Sequence, residues 1–214
     1  MRILLVHTHP SANANVARHY QYYLRAGFDK VVGVLTTGGG CVWPGEHSVE
    51  ICENKYIDGP HLCNRLIRTF EFGIRQGADN ICIIEHDTVF FKPMPFCPIG
   101  FTMNRTGGNI APWKCTQFFH NPHHIDVATA IRAVALGDVL IKQGDIEGGN
   151  PDLFLGRITD LMPDVPINQG VFRNYTRNAL DQPGHLQEAR DAYRAGVHAI
   201  HGVKHERELN FILS

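Results

Sequence analysis

Three apolar runs limit the folds open to this chain: Arg2–Val6, Lys30–Leu35 and residues 81–84. They are built mostly of Ile, Leu and Val, without the polar alternation of a strand that has one wet face. Segments of helical spacing stand between them. Val16, Tyr20, Tyr23 and Leu24 recur along Asn13–Ala26, and Gly27 follows as a stop. Leu62, Leu66, Phe70 and Ile74 form one stripe over Pro60–Gln76, with Pro60 at the start and Gly77 at the end. Continuously apolar strands that alternate with helices predict an α/β fold: a mostly parallel central sheet flanked by helices. In such sheets ligands bind beyond the carboxyl ends of the strands. His7, the Thr36–Gly40 loop and Glu85-His86-Asp87 are therefore expected on one rim.

Beyond residue 90 the periodic signals weaken. Five prolines and Gly107-Gly108 between residues 92 and 124 predict loops and short strands over the rim. Asp126–Leu136 reads as a short helix ending at Gly137, Gly144–Asp152 as a polar loop, Asp181–Gly196 as a helix, and His198–Lys204 as a tail. A chain of 214 residues, 43% hydrophobic, is large enough for one core and one domain. Twenty Lys and Arg against 21 Asp and Glu argue against broad electrostatic binding to nucleic acid or to an anionic membrane. The six cysteines form no CxxC pair, which speaks against a zinc knuckle or a thioredoxin-type site. His7 interrupts MRILLV before it reaches the length of a signal-peptide core, and no apolar run reaches membrane-spanning length. The expectation is a cytoplasmic protein in a reducing compartment.

The chemistry concentrates at ICIIEHD, residues 81–87. Residues i and i+2 of a strand point to one side, so Glu85 and Asp87 are expected to face a common ligand. Two close carboxylates repel unless a cation lies between them. The pair reads as a seat for a divalent metal and, through it, for a diphosphate.

A Rossmann-like half, a helix, and then a strand closing on an acidic triplet resembles the GT-A fold glycosyltransferases of the nucleotide-diphospho-sugar transferase superfamily. Glu85-His86-Asp87 is then a variant of their D-x-D motif, with Glu in place of the first Asp. Asn150–Arg157 (NPDLFLGR) resembles the segment in which an acidic residue opens a helix beside the acceptor, though the usual preceding Glu is absent. His201-Gly202-Val203-Lys204 resembles the C-terminal segment where a His completes the metal shell and a Lys reaches the diphosphate. The likeness covers roughly residues 1–90 and 148–204.

The resemblance implies a single GT-A-like domain over 1–214, with 1–90 the nucleotide-binding half and 91–214 the acceptor side. It implies a metal-dependent transfer of sugar from a nucleoside-diphosphate sugar to a hydroxyl of a glycan, small molecule, protein or modified nucleobase. Asp87 is then the direct ligand of Mn²⁺ or Mg²⁺, with Glu85 acting through water or on the ribose. His201 joins the shell, with His198 as its rival, and Lys204 contacts phosphate. Arg65 or Arg68, on the helix before the triplet, would touch the nucleotide, or else form structural ion pairs. His7 and Thr8 would line the nucleobase pocket. Asp152 is the candidate general base for an inverting transfer, with Asp145, Glu147 and Asp164 as alternates. Its ordinary role would be a helix N-cap.

Two other readings start from different residues. His7-x-His9, with His120, His123, His124 and Asp126, could furnish the ligands of a metal-dependent hydrolase. A nucleotide-sugar binder without catalysis could also use the same fold. Trp113, near Pro112 and Lys114, offers a sugar-stacking ring or a core residue. Gly38–Gly40 lacks the spacing of a phosphate-cradling loop and reads as a turn.

Overall fold

The computed structural model describes every residue except 38, 54–58, 108–116, 170–173, 177–179, 181 and 183; for 52, 53, 59, 60, 103–107, 117, 118, 120, 147 and 174 it describes the backbone only. Gly38, Pro112, Trp113, Lys114, Asp181 and Pro183 thus lie outside the described residues, as do the side chains of His120 and Glu147.

The first half follows the expected alternation. Strand β1 (Arg2–His7) leads through helix α1 (Asn13–Arg25) to β2 (Lys30–Thr37) and β3 (His47–Glu53). Helix α2 (Gly59–Arg75) then returns the chain to β4 (Asn80–Glu85). Strand β3 was not anticipated: its polar HSVE start hides it. With β6 (Phe101–Gly107), β7 (Gln117–Asp126) and β8 (Ile167–Asn168), these strands form a seven-stranded sheet in the order β3-β2-β1-β4-β7-β6-β8. Strand β7 runs antiparallel to both β4 and β6; the other pairings are parallel.

Pleating divides the buried strands between two cores. Ile3, Leu5, Ile81 and Ile83 pack on one face with Leu66, Ile67 and Phe70 of α2. That core also takes in Ala130 and Ala133 of α3 (Val127–Gln143) and Phe154 and Ile158 of α4 (Pro151–Asp160). Leu4, Val6, Cys82 and Ile84 pack on the other face with Tyr23 of α1. A three-stranded sheet of β5 (Thr88–Phe90), β10 (Ala199–His201) and β9 (Asn174–Thr176) adjoins the rim, and α5 (His185–Arg194) and α6 (Glu206–Leu213) share a third core with it.

Three sequence expectations need correction. The strands expected in 92–124 are not all short or confined to the rim, because β7 spans ten residues within the central sheet despite Pro122. Proline in a central strand removes a ladder donor and argues against the assignment, which is why the strand was hidden. Helix α3 passes through Gly137 and ends at Gly144, whose φ of 72° supplies the left-handed cap. Gly137 instead allows close packing on α2: a Cβ there would lie 2.3 Å from Ile67 Cδ1. The supposed tail contains β10, which carries His201. Among the described residues, no helix is long and apolar enough to cross a membrane.

Gly100 fixes the approach to β6. Its φ is 106°, its N–H donates to Asp126 Oδ2 at 2.6 Å, and a Cβ would fall 2.1 Å from the backbone oxygen of Pro166. Neither the backbone angle nor that oxygen can yield cheaply. Gly100→Ala is expected to lower unfolding free energy by about 2 kcal/mol or more, read from the denaturation midpoint.

Candidate metal centre

Register places the ligand-bearing residues at one sheet end. Paired positions share a face, and His7 pairs with Glu85 as Leu5 pairs with Ile83. Glu85 therefore projects on the α2 and α4 side. Asp87 arrives by another route. The strand ends at Glu85 and the chain turns through His86 and Asp87 before β5. The two carboxylates converge through a turn, not through strand alternation.

The turn is held from two directions. Its His86 carbonyl accepts from Tyr23 Oη at 2.6 Å and from His19 Nδ1 at 3.1 Å, both on α1. Its Asp87 carbonyl accepts from the N–H groups of Gly202 and Val203 at 3.1 and 2.9 Å. The second clamp is the segment that follows His201, so the same backbone contacts dock the imidazole beside the acids.

Glu85, Asp87 and His201 each offer a ligand atom, and these atoms lie within 4.8 Å of one another. His201 Nδ1 is 3.2 Å from Asp87 Oδ1 and 3.1 Å from Thr88 Oγ1, and its Nε2 is 3.6 Å from Glu85 Oε2. Asp87 is buried and its Oδ1 has no hydrogen-bond donor. Two carboxylates, one with an undonated buried oxygen, and one imidazole are a fitting donor set for a divalent ion. The group could hold a metal ion, and it contains His201 and not His198. It is the one such group among the described residues.

Electrostatics agrees. Glu85 is 40% exposed, but only to the floor of a concave site. Burial there raises its carboxyl pKa, His201 opposes the rise, and Asp87 and Asp152 add to it. Burial is also the main cause at the nearby rings. It lowers His86 to about 4 and holds His7 well below the usual imidazole value, with Arg65 adding to the fall at His7. His9, edge-on to His86 with centroids 4.8 Å apart, is lowered as well.

Two neighbouring cavities share Glu85, Asn121 and Asp152 in their walls. The outer one, about 370 Å³, is lined by Glu85, Asp87, Asn121, Asp152, His201 and Lys204 among others. It falls within the roughly 300–1,000 Å³ of small-molecule sites. A smaller inner chamber, about 90 Å³, has His7, Arg65, Glu85, His123 and Asp152 in its walls and Leu62, Leu66 and Ile83 as its apolar part. The structure thus brings Glu85, Asp87, Asp152, His201 and Lys204 around one concavity, with His7 and Arg65 deeper.

Other expected site residues are used differently. Arg65 is buried, and its Nη2 donates to the carbonyls of Thr8 and Val34 at 2.9 and 2.7 Å, tying together the ends of β1 and β2. Thr8 is fully buried and lines neither cavity. Arg68 turns to α3, pairing with Glu71 at 2.6 Å and with Asp138, and also lines neither cavity. For Arg68 the structural ion pair is what the fold displays. Asp152 is not the N-cap. Asn150 takes that role, accepting from the N–H groups of Asp152 and Leu153 and leaving the Asp152 carboxylate 3.2 Å from His123 Nε2. Of the alternates, Asp145 pairs with Arg157 at 3.6 Å and Asp164 with Arg132 at 2.8 Å.

Among the described residues the hydrolase ligands form no metal-competent group of their own. His7 Nε2 bonds Thr69 Oγ1 at 2.9 Å, and His9 Nδ1 bonds Ser11 at 2.7 Å. Asp126 caps α3. His123 and His124 lie on opposite faces of β7, because they pair with Ile83 and Cys82. Sequence reasoning missed the supporting roles of His19 and Tyr23 and the place of Asn121 in both cavities. The apolar stripe of α1 had included Tyr23 only as packing.

The fold and site together define an α/β protein with a mostly parallel sheet and a Glu-Asp-His group able to hold a metal ion. No known family model matches the chain, and no curated protein matches it.

The raised pKa of Glu85 has a consequence for the metal-free fold. Its ionisation is easier in the unfolded chain, so its contribution to stability is full below the ordinary carboxyl range and is lost as pH rises through the raised value. At neutral pH Glu85→Gln is therefore expected to raise the Tm of metal-free protein, by a small amount because solvent screens the half-exposed carboxylate. The same change should remove most of the Tm gain on adding Mn²⁺. Differential scanning calorimetry with and without chelator reads both effects.

Proposed function

We propose that this protein is a metal-dependent glycosyltransferase of GT-A type, moving a sugar from a nucleoside-diphosphate sugar to a hydroxyl acceptor. One observation carries the reading: a metal-competent group, a lysine and a separate carboxylate face one cavity at the carboxyl ends of parallel strands. The motif likeness of Glu85-His86-Asp87, Asp152 and His201-Gly202-Val203-Lys204 supports it, since these distant segments meet there.

Glu85, Asp87 and His201 would hold the ion. Two oxygens and an imidazole suit Mn²⁺, with Mg²⁺ as the other choice. When bound, such an ion supplies neutralisation of the charge that collects on a departing diphosphate. Lys204 adds a positive charge to the same wall. Asp152 serves as base. As the acceptor oxygen bonds to sugar C1, the bond from C1 to the diphosphate oxygen breaks with its electron pair on that oxygen, and the acceptor proton passes to Asp152. His7 and Arg65 shape the deeper end of the nucleotide-sugar site. The free thiols at Cys41, Cys63, Cys82 and Cys97 suit the cytoplasm, burial holding Cys63 up at about 12 and Cys97 at about 11.

The test is a screen of UDP-, GDP-, CMP- and TDP-sugars with Mn²⁺. At 100-fold excess over Kd, the matching donor is expected to raise Tm by about 5–10 °C, and Asp87→Ala to abolish that rise. Turnover should fall about 100-fold or more in Asp87→Ala and roughly 10²–10⁴-fold in Asp152→Asn. Equal turnover by Asp87→Ala and the unmodified chain removes the metal from the reaction. Tight donor binding without turnover would mark a nucleotide-sugar binder instead.

A further inference from the structure

His123 is 2% exposed, and neither of its ring nitrogens has a hydrogen-bond partner. Burying an unpaired polar atom costs more than a typical hydrogen bond contributes, so an idle imidazole is a poor occupant of this position. The ring stands in the wall of the inner chamber with Asp152, and its Nε2 lies 3.2 Å from Asp152 Oδ1 without hydrogen-bond alignment. Its neighbour His124 makes a useful contrast. That ring is also buried and unpaired, but it packs edge-on against Phe28 on the opposite face and lines neither cavity. A buried imidazole alone says little. What sets His123 apart is a carboxylate beside it and a chamber in front of it.

We propose that His123 is the positioning residue for Asp152: its Nε2–H closes on Oδ1 and holds the carboxylate with Oδ2 toward the acceptor hydroxyl. The inference rests on the transferase reading above and adds a residue to it. Catalytic hydrogen bonds are often long or misaligned before substrate arrives and tighten in the complex, and the 3.2 Å contact is of that kind. Register does the placing. His123 pairs with Ile83, two residues before Glu85 on the same face, so β7 delivers the ring under the start of α4. Asn150 completes the arrangement by capping α4 with its own side chain, so that the Asp152 carboxylate is not spent on the cap. The proton path is unchanged: the acceptor's proton ends on Asp152, and His123 keeps its own.

Two measurements test this. The first is the ¹⁵N pattern of the His123 ring by NMR, in the unmodified chain and in Asp152→Ala, which leaves no acceptor beside Nε2. The expected result is an Nε2–H tautomer in the unmodified chain that is lost or reversed in the variant. An identical pattern in both overturns the pairing, whether or not the chain transfers sugar. The second is steady-state kinetics with Mn²⁺ and the donor found by the screen. His123→Phe keeps the ring volume without a donor and is expected to lower kcat about tenfold to 100-fold. Donor KM and Mn²⁺ affinity should stay within twofold. His123→Gln, which returns a donor near Nε2, is expected to recover most of the loss. A kcat for His123→Phe within twofold of the unmodified chain, or equal losses in both variants, overturns the positioning role. If the unmodified chain turns over no nucleotide sugar, the transferase reading falls, and the NMR comparison still decides whether the pair exists.

Discussion

The site depends on two backbone carbonyls. The carbonyls of His86 and Asp87 would be stranded at the end of β4, where the strand stops and the chain turns. One is taken by the side chains of Tyr23 and His19, the other by the backbone of Gly202 and Val203. A buried carbonyl left without a donor costs more than a typical hydrogen bond contributes, so these four donors settle where the turn can lie. With the turn fixed, Asp87 is forced against Glu85 and His201 is brought to both. Burial is the main cause of the raised carboxyl of Glu85, and to it is added the repulsion this creates. A cation would relieve it, and so would a proton.

The same logic explains why one face of the sheet is chemical and the other is packing. Odd-numbered residues of β1 and β4 end in His7 and Glu85, and they look toward α2 and α4. Even-numbered residues end in Val6 and Ile84, and they look toward α1. Helix α1 reaches the site through backbone carbonyls: that of His86 in the turn and, through Arg18, that of Lys204. Helices α2 and α4 reach it with side chains: Thr69 on His7, Arg65 across the ends of β1 and β2, and Asp152 over the inner chamber.

Much of this could be read in the chain. Continuous Ile, Leu and Val runs identified β1, β2 and β4, because strands buried on both faces carry no alternation to obscure them. The acidic pair stood out because carboxylates after a buried strand need a partner. Other parts were hidden for physical reasons. Pro122 and three histidines in HNPHH masked the central strand β7. Gly137 looked like a helix stop, but contact with Ile67 alone decides its role, and that contact is tertiary. The tail around His201 is too short and too mixed to signal β10, which exists because β5 and β9 supply its hydrogen bonds. Arg65 and Arg68 are indistinguishable in sequence, yet one is buried at the strand ends and the other is paired to Asp138 on α3.

The order in which the ligands occur along the chain has a further meaning. Glu85 closes β4 and Asp87 follows directly on it, after β1, β2 and β3 with α1 and α2 have been made. His201 comes after more than a hundred further residues and is secured only when β10 zips against β5. Domains emerging from the ribosome fold from the N-terminal side first. A nascent chain would therefore carry a bare acidic pair until residue 201 had been released and seated. A complete Glu85-Asp87-His201 group is thus a report that β10 has docked on β5.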